Sequence, residues 1–157
     1  MIEGVRLVDA VDGKILKLLS ENAAATATEI GEAVNLSVPA VNKRILKLRE
    51  SGVIRSYTLL TDEKKVGKPI CAFILLAVRY GEGAEALQKY VKDDPDVLEC
   101  YAVTGDYDYL VKICAESIEA LEEKLLFMKK QKGVIKSHTM FSLQEHKFSA
   151  TVLPNNI

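Results

Sequence analysis

Between Thr26 and Glu50 the chain carries two short amphipathic segments parted by only three residues, Asn35-Leu36-Ser37. That spacing forces two helices to meet at a tight turn. Thr26 with Glu29 three residues on forms a capping box, which satisfies the orphan N–H groups of a helix start. Ile30, Ala33 and Val34 supply an apolar face, and Gly31 stands where two helices would cross closely. Asn35 tolerates the left-handed backbone of a helix end, and Ser37 is a suitable cap for the next helix. Pro39 falls in the first turn, where its missing N–H costs nothing. Leu36 and Val41 are placed to staple the entry, and Val38, Val41, Ile45 and Leu48 line one face. Asn42, Lys43, Lys47 and Arg49 lie away from it. An earlier helix opens at Asp9, with Asp12 in its first turn and Val11, Ile15, Leu18 and Leu19 at helical spacing. The spacing predicts helices over about 9–21, 27–34 and 38–50, a helix-turn-helix.

Net charge is −1 over 157 residues, so no overall basic field points to a polyanion. The charge is concentrated, however. Lys43, Arg44, Lys47, Arg49 and Arg55 face the single acid Glu50 between Ser37 and Arg55, whereas the chain from Asp62 onward is slightly acidic. A basic patch on a near-neutral chain is the footprint of a nucleic-acid reader with a separate second half. A solvated helix face is the plainer alternative. If the third helix enters a major groove, its N-terminal outward residues reach base edges and nearby cations reach phosphates. Ser37, Val38, Asn42 and Lys43 are then base-proximal candidates. Arg44 and Lys47 are candidates for phosphate or base contact, and Arg55 for a wing contact. Arg44 has a second option, an ion pair inside its own domain. The alternating stretch from Val53 to Thr61 suits either a wing or an interdomain strand. The charged, Gly- and Pro-bearing run that follows marks a boundary, giving domains over 1–60 and 70–157 with a linker over 61–69.

The second half reads strand, helix, strand, strand, helix, strand. Ile70 to Val78 is a continuous apolar strand, and a helix from Gly83 to Asp94 turns Ala84, Leu87 and Val91 inward before Pro95 stops it. Two strands flank the turn Gly105-Asp106-Tyr107-Asp108, a hairpin signal. A helix capped by Ser117 carries Ile118, Leu121, Leu125 and Met128, and an alternating strand follows Gly133. This βαββαβ order is the ferredoxin-like unit of an α+β fold, an antiparallel sheet with both helices on one face. The other face has nothing in the chain to cover it, so a second copy is expected there. Cys71, Cys100 and Cys114 share no metal-ligand spacing and are read as small free hydrophobes, and a reducing cytoplasm is the default. No secretory leader is visible, and Ile70–Val78 is far too short to span a bilayer. His138 and His146 are too far apart on a strand to share a metal, and no phosphate loop or nucleophile elbow appears. No cofactor, metal or catalytic residue is expected.

The stretches VDAVDGKILKLL, VNLSVPAVNKRILKLRESGVIRSYTLL, VLECYAVTGDYDYLVKI and KGVIKSHTMFSLQEHK closely resemble the Lrp/AsnC family, the feast/famine transcription regulators of bacteria and archaea. The resemblance runs through nearly the whole chain. It implies a winged helix-turn-helix that binds double-stranded DNA and a βαββαβ module that dimerises, assembles into octamers and takes an amino acid as effector. In similar proteins the effector lies at the subunit interface beside the turn matched here by TGDYDY. Gly105, Asp108 and Tyr109 are thus the leading effector candidates, followed by Thr104, Asp106 and Tyr107, with Thr139 and Phe141 on the last strand. Physically, a glycine turn exposes backbone N–H groups to a carboxylate, and the aspartates suit an ammonium. A solvated hairpin turn is the plain alternative. Two departures stand out. Leu48 is followed by Arg49 where the family usually has glutamate, and AAATAT replaces a frequent arginine near the second helix. Siroheme decarboxylases share the layout and form the rival, enzymatic reading; the basic outer face of the third helix argues against it. Two-fold pairing implies a pseudo-palindromic operator.

Overall fold

The computed structural model describes residues 8–79 and 84–155. Gly83, the expected start of a helix, and the first seven residues of the first domain lie outside them. The described chain forms two units, one running up to Leu59 and joined by the tail from Lys147, the other spanning Leu60–His146. The connector expected as a linker over 61–69 therefore belongs with the second unit. It is ordered locally, with Asp62 Oδ1 accepting from the N–H groups of Lys64 at 3.0 Å and Lys65 at 3.1 Å.

In the first unit, α1 (Ala10–Glu21), α2 (Ala27–Val34) and α3 (Val38–Glu50) match the predicted spans. Both α1 and α2 open with complete capping boxes, Asp9 with Asp12 and Thr26 with Glu29. Ile15, Ile30 and Val41 are sealed in the centre, with Leu19 beside them. Burying an aliphatic side chain contributes about 1.5–3 kcal/mol, so this small core leaves the caps, at about 1 kcal/mol each, a sizeable share of stability. Two stripe residues turn outward, since Val38 is 39% exposed and Ala33 lies on the surface.

Asn35 takes the left-handed conformation at φ 56°, as the Asn-Leu-Ser break predicts. What Gly31 permits is a different contact from the one its sequence suggests. A Cβ there would stand 2.6 Å from the backbone oxygen of Leu36, and Leu36 N–H donates to the Gly31 carbonyl at 2.9 Å. The returning turn makes the tightest approach, with Val41 Cγ2 of α3 next at 3.7 Å. Residues 53–61 form no strand in this single chain, although Ile54 packs on the core and its N–H donates to the Leu48 carbonyl. Alternation makes a segment extended, but a strand also needs a paired edge.

In the second unit, β1 (Ile70–Val78), α4 (Ala84–Asp93), β2 (Val97–Ala102), β3 (Tyr109–Ala115), α5 (Ile118–Lys130) and β4 (Val134–Phe141) follow the predicted βαββαβ order. The sheet runs β2-β3-β1-β4 with every neighbouring pair antiparallel. Ala72, Ile74 and Leu76 of β1 are fully buried with Val111, Ile113, Leu87, Leu121 and Met128. The other face is half-open, with Phe73 and Leu75 partly exposed and Tyr101 and Met140 at 54% and 41%. Ile118, expected in the α5 stripe, is 58% exposed, because the first residue of a helix projects past the sheet it covers. No helix among the described residues is long and apolar enough to cross a membrane.

The cysteine expectation needs correction. Cys71 and Cys114 are not free but joined by a disulfide, and Cys100 alone remains a thiol. They stand opposite each other in register, a relation that depends on strand pairing and that spacing along the chain does not show.

Gly31→Ala should destabilise the first unit by about 1–3 kcal/mol, because the obstacle is backbone and cannot rotate away. Chemical denaturation followed by helical circular dichroism measures this; a neutral or stabilising effect contradicts the close approach.

Candidate nucleic-acid interface and ligand hairpin

At about 3.6 residues per turn, burying Val41, Ile45 and Leu48 turns Pro39, Asn42, Lys43, Leu46 and Lys47 to the opposite side of α3. Asn42, Lys43 and Lys47 are exposed. The two lysines make no ion pair or side-chain hydrogen bond among the described residues. Ser37 starts the helix without using its hydroxyl as a cap, which leaves that group and the first-turn N–H groups available to an anion. Val38 and Arg55 are also exposed. Leu46, 52% exposed between the two lysines, is a surface residue that the apolar-stripe reading missed. Its sequence signal was an apolar side chain falling outside that stripe.

Arg44 takes the second of its two options. Its Nη1 lies 2.7 Å from Asp9 Oδ2 and 2.7 Å from Asp12 Oδ1, bridging the start of α1 to the middle of α3. Asp12 is buried, only 3% exposed. The paired carboxylates hold the guanidinium more firmly charged. The Asp9 carboxyl is held below the usual carboxylate range, first by the N–H of Asp12 and then by Arg44. Arg44 thus fixes the helix, while Lys43 and Lys47 carry its outward charge.

In the second unit the β2–β3 hairpin gathers most of the effector candidates. Thr104, Gly105 and Asp106 are exposed at its tip, and Gly105 adopts φ 119°, a glycine conformation. Asp108 anchors the hairpin to the end of β1. Its N–H donates to the Leu76 carbonyl at 2.9 Å, its carbonyl accepts from Val103 N–H at 2.9 Å, and its Oδ2 accepts from Val78 N–H at 2.8 Å. Tyr109 is partly buried against the core, and its hydroxyl accepts from Gln88 Nε2 at 3.1 Å. Tyr107 meets two residues of β4 that sequence reasoning did not assign to the hairpin: Lys136, whose Nζ lies 4.6 Å from the ring centroid, and His138, at 6.5 Å between centroids. Pairing of Ala77 with Lys136 and Leu75 with His138 brings them there. Thr139 and Phe141 pair with Ile74 and Ala72, which puts both on the helix-covered side of β4. Phe141 sits four residues along the sheet from the hairpin end at Leu76, roughly 13 Å at strand rise.

Residues 8–55 match the profile of a winged helix-turn-helix DNA-binding domain, and residues 71–152 match the Lrp/AsnC ligand binding domain. The HTH-type transcriptional regulator FL11 of Pyrococcus horikoshii is 39% identical over 150 residues, 94% of this chain and 96% of its own. The glutamate uptake regulatory protein of Zymomonas mobilis is 36% identical over 155 residues, 96% of this chain and 92% of its own. Among solved structures, a transcriptional regulator of Neisseria meningitidis in complex with L-methionine superposes with a TM-score of 0.90 at 31% identity. That likeness covers 94% of this chain and 97% of the other.

Removing Arg44 leaves Asp12 buried without its cation, so Arg44→Leu should cost about 1–3 kcal/mol at neutral pH. The depressed Asp9 carboxyl contributes stability that is present above its ordinary titration range and lost as pH falls through its lowered folded value. The share of that contribution that comes from Arg44 is missing in the variant, so the difference between wild type and variant should narrow as the carboxylates are protonated on acidification. Thermal unfolding across pH tests this, and a constant or widening difference contradicts the clamp.

Proposed function

Because the chain belongs to the Lrp/AsnC family of helix-turn-helix transcriptional regulators, we propose that it reads a pseudo-palindromic DNA operator through the outward face of α3. We propose also that an amino acid or related small metabolite, bound at a subunit interface beside the 103–108 hairpin, modulates that reading. The observation that carries the first half is the division of labour on α3, where Arg44 is spent inside the unit and Lys43 and Lys47 are not. Ser37, Val38 and Asn42 meet base edges at the helix N-terminus, Leu46 offers apolar contact to a thymine methyl, and Arg55 reaches the backbone.

The half-open face of the sheet supports pairing with a second copy, giving dimers that assemble further into octamers in the cytoplasm. Two-fold pairing would present two copies of α3 to successive major grooves. An amino acid is the favoured effector class, since the Neisseria relative was solved with L-methionine and the Zymomonas relative is named for glutamate uptake. At the hairpin, the backbone around Gly105 suits a carboxylate and the exposed Asp106 suits an ammonium. Asp108 acts through the anchor that shapes the loop, and Lys136 and His138 widen the polar wall. The relatives are named as transcriptional regulators, and no observation favours the decarboxylase alternative.

Lys43→Ala and Lys47→Ala should each weaken operator binding and reduce the slope of log affinity against log salt by about one, the signature of a lost phosphate contact. Arg44→Leu should lower stability with little change in that slope. A salt titration of operator binding distinguishes these; unchanged slopes for both lysine variants would remove α3 from the interface. Isothermal titration against the twenty amino acids should yield at least one binder whose affinity falls in Asp106→Ala. Silence across all twenty defeats the amino-acid reading.

A further inference from the structure

We propose that Cys71 and Cys114 form a reversible thiol–disulfide site, opened and closed by exchange with small thiols and disulfides, and that the sulfur attacked is that of Cys71. The two cysteines face each other across β1 and β3 with 4.2 Å between their Cα atoms. Neither bonds to the other through its backbone. Cys71 carbonyl accepts from Ser142 N–H on one side, and Cys114 N–H donates to the Asp96 carbonyl on the other. This is the non-hydrogen-bonded type of antiparallel pair, in which side chains approach most closely. The sheet ladder therefore holds the sulfurs together whether or not they are bonded, so closing the bond requires no rearrangement.

Access is unequal. Cys114 is 2% exposed, whereas Cys71, at the start of β1 on the same sheet face as Phe73 and Leu75, is partly open in the single chain. A cleft of about 340 Å³, lined in part by Glu63, Val66, Lys68, Leu98 and Cys114, lies on the Cys114 side of the pair; Cys71 does not line it, and its sulfur is reached from the open side of the sheet. Cys100 is separate, because it pairs with Val111 and packs on the helix-covered side. Burial there also pushes its thiol up, leaving little thiolate to compete.

The chemistry balances without a further reactant. In the opening direction a small thiolate attacks Sγ of Cys71, the bond to Cys114 breaks, and Cys114 leaves as a thiolate that takes up a proton. A second small thiol then attacks the mixed disulfide, freeing Cys71 and leaving as the small disulfide. Two thiols are oxidised and the protein disulfide is reduced. Closing is the reverse, with a small disulfide as oxidant. The competing chemistry is a metal, since the Glu63 carboxylate and the two sulfurs offer ligand atoms within 4.8 Å of one another.

The test uses the intact 157-residue chain with glutathione as probe. After treatment with glutathione disulfide and alkylation in denaturant, the peptides bearing Cys71 and Cys114 should be joined and Cys100 alkylated. After excess reduced glutathione all three cysteines should be alkylated. Cys100→Ser should behave as the wild type. With glutathione disulfide, Cys114→Ser should carry glutathione on Cys71, whereas Cys71→Ser should leave Cys114 unmodified. Absence of the joined peptide in the wild type overturns the proposal. So does stoichiometric zinc that blocks its formation, or equal uptake of glutathione by Cys114 in Cys71→Ser.

Discussion

The guanidinium of Arg44 holds the first unit in its working geometry. Three short helices share a small core around Ile15, Leu19, Ile30 and Val41, and a domain of this size buries a lesser share of its surface than a larger one. The bridge from Arg44 to Asp9 and Asp12 adds a directional constraint, and it ties α3 to a helix start already shaped by its own capping box. At the N-terminal end of α3, the turn is pressed against Gly31 so closely that only a residue without Cβ fits. Both constraints act on the placement of one helix, and the side chains on its outward face inherit that precision.

The second unit solves a different problem, with one face of its sheet sealed by α4 and α5 and the other left half-open. The hairpin after β2 is more than a connection, because Asp108 links it by backbone and carboxylate to the end of β1. A ligand that reshapes the hairpin therefore acts on the central β1, whose exposed face is where a second copy is proposed to pair. On the proposed reading, this couples ligand to DNA: subunit pairing sets the separation of the two α3 helices.

Local signals were legible in the sequence. Caps at Asp9, Thr26 and Ser117, the left-handed Asn35 and the 3.6-residue and alternating periodicities each depend on neighbours in the chain, and each has its structural counterpart. What depended on pairing was hidden. Cys71 and Cys114 meet only because β1 and β3 lie in a particular register. Lys136 and His138 reach Tyr107 by the same kind of accident of register, while Thr139 and Phe141, one residue off in alternation, fall on the opposite face. For Arg44 the sequence left both options open, since an arginine beside an apolar stripe reaches inward or outward with equal ease; the acids that decide it are 35 and 32 residues away. Residues 53–61 alternate as a strand does but pair with no edge among the described residues.

On the proposed reading the outward side of α3 lies in a DNA groove. Photocrosslinking to operator duplex at low salt, from a reactive side chain installed at position 43, puts that placement to the test. Crosslinks should fall at two base clusters separated by about one helical turn, or a multiple of it, and related by two-fold symmetry. If position 43 fails to crosslink while a probe at Tyr101 on the open sheet face does, DNA lies elsewhere and the account of α3 is wrong.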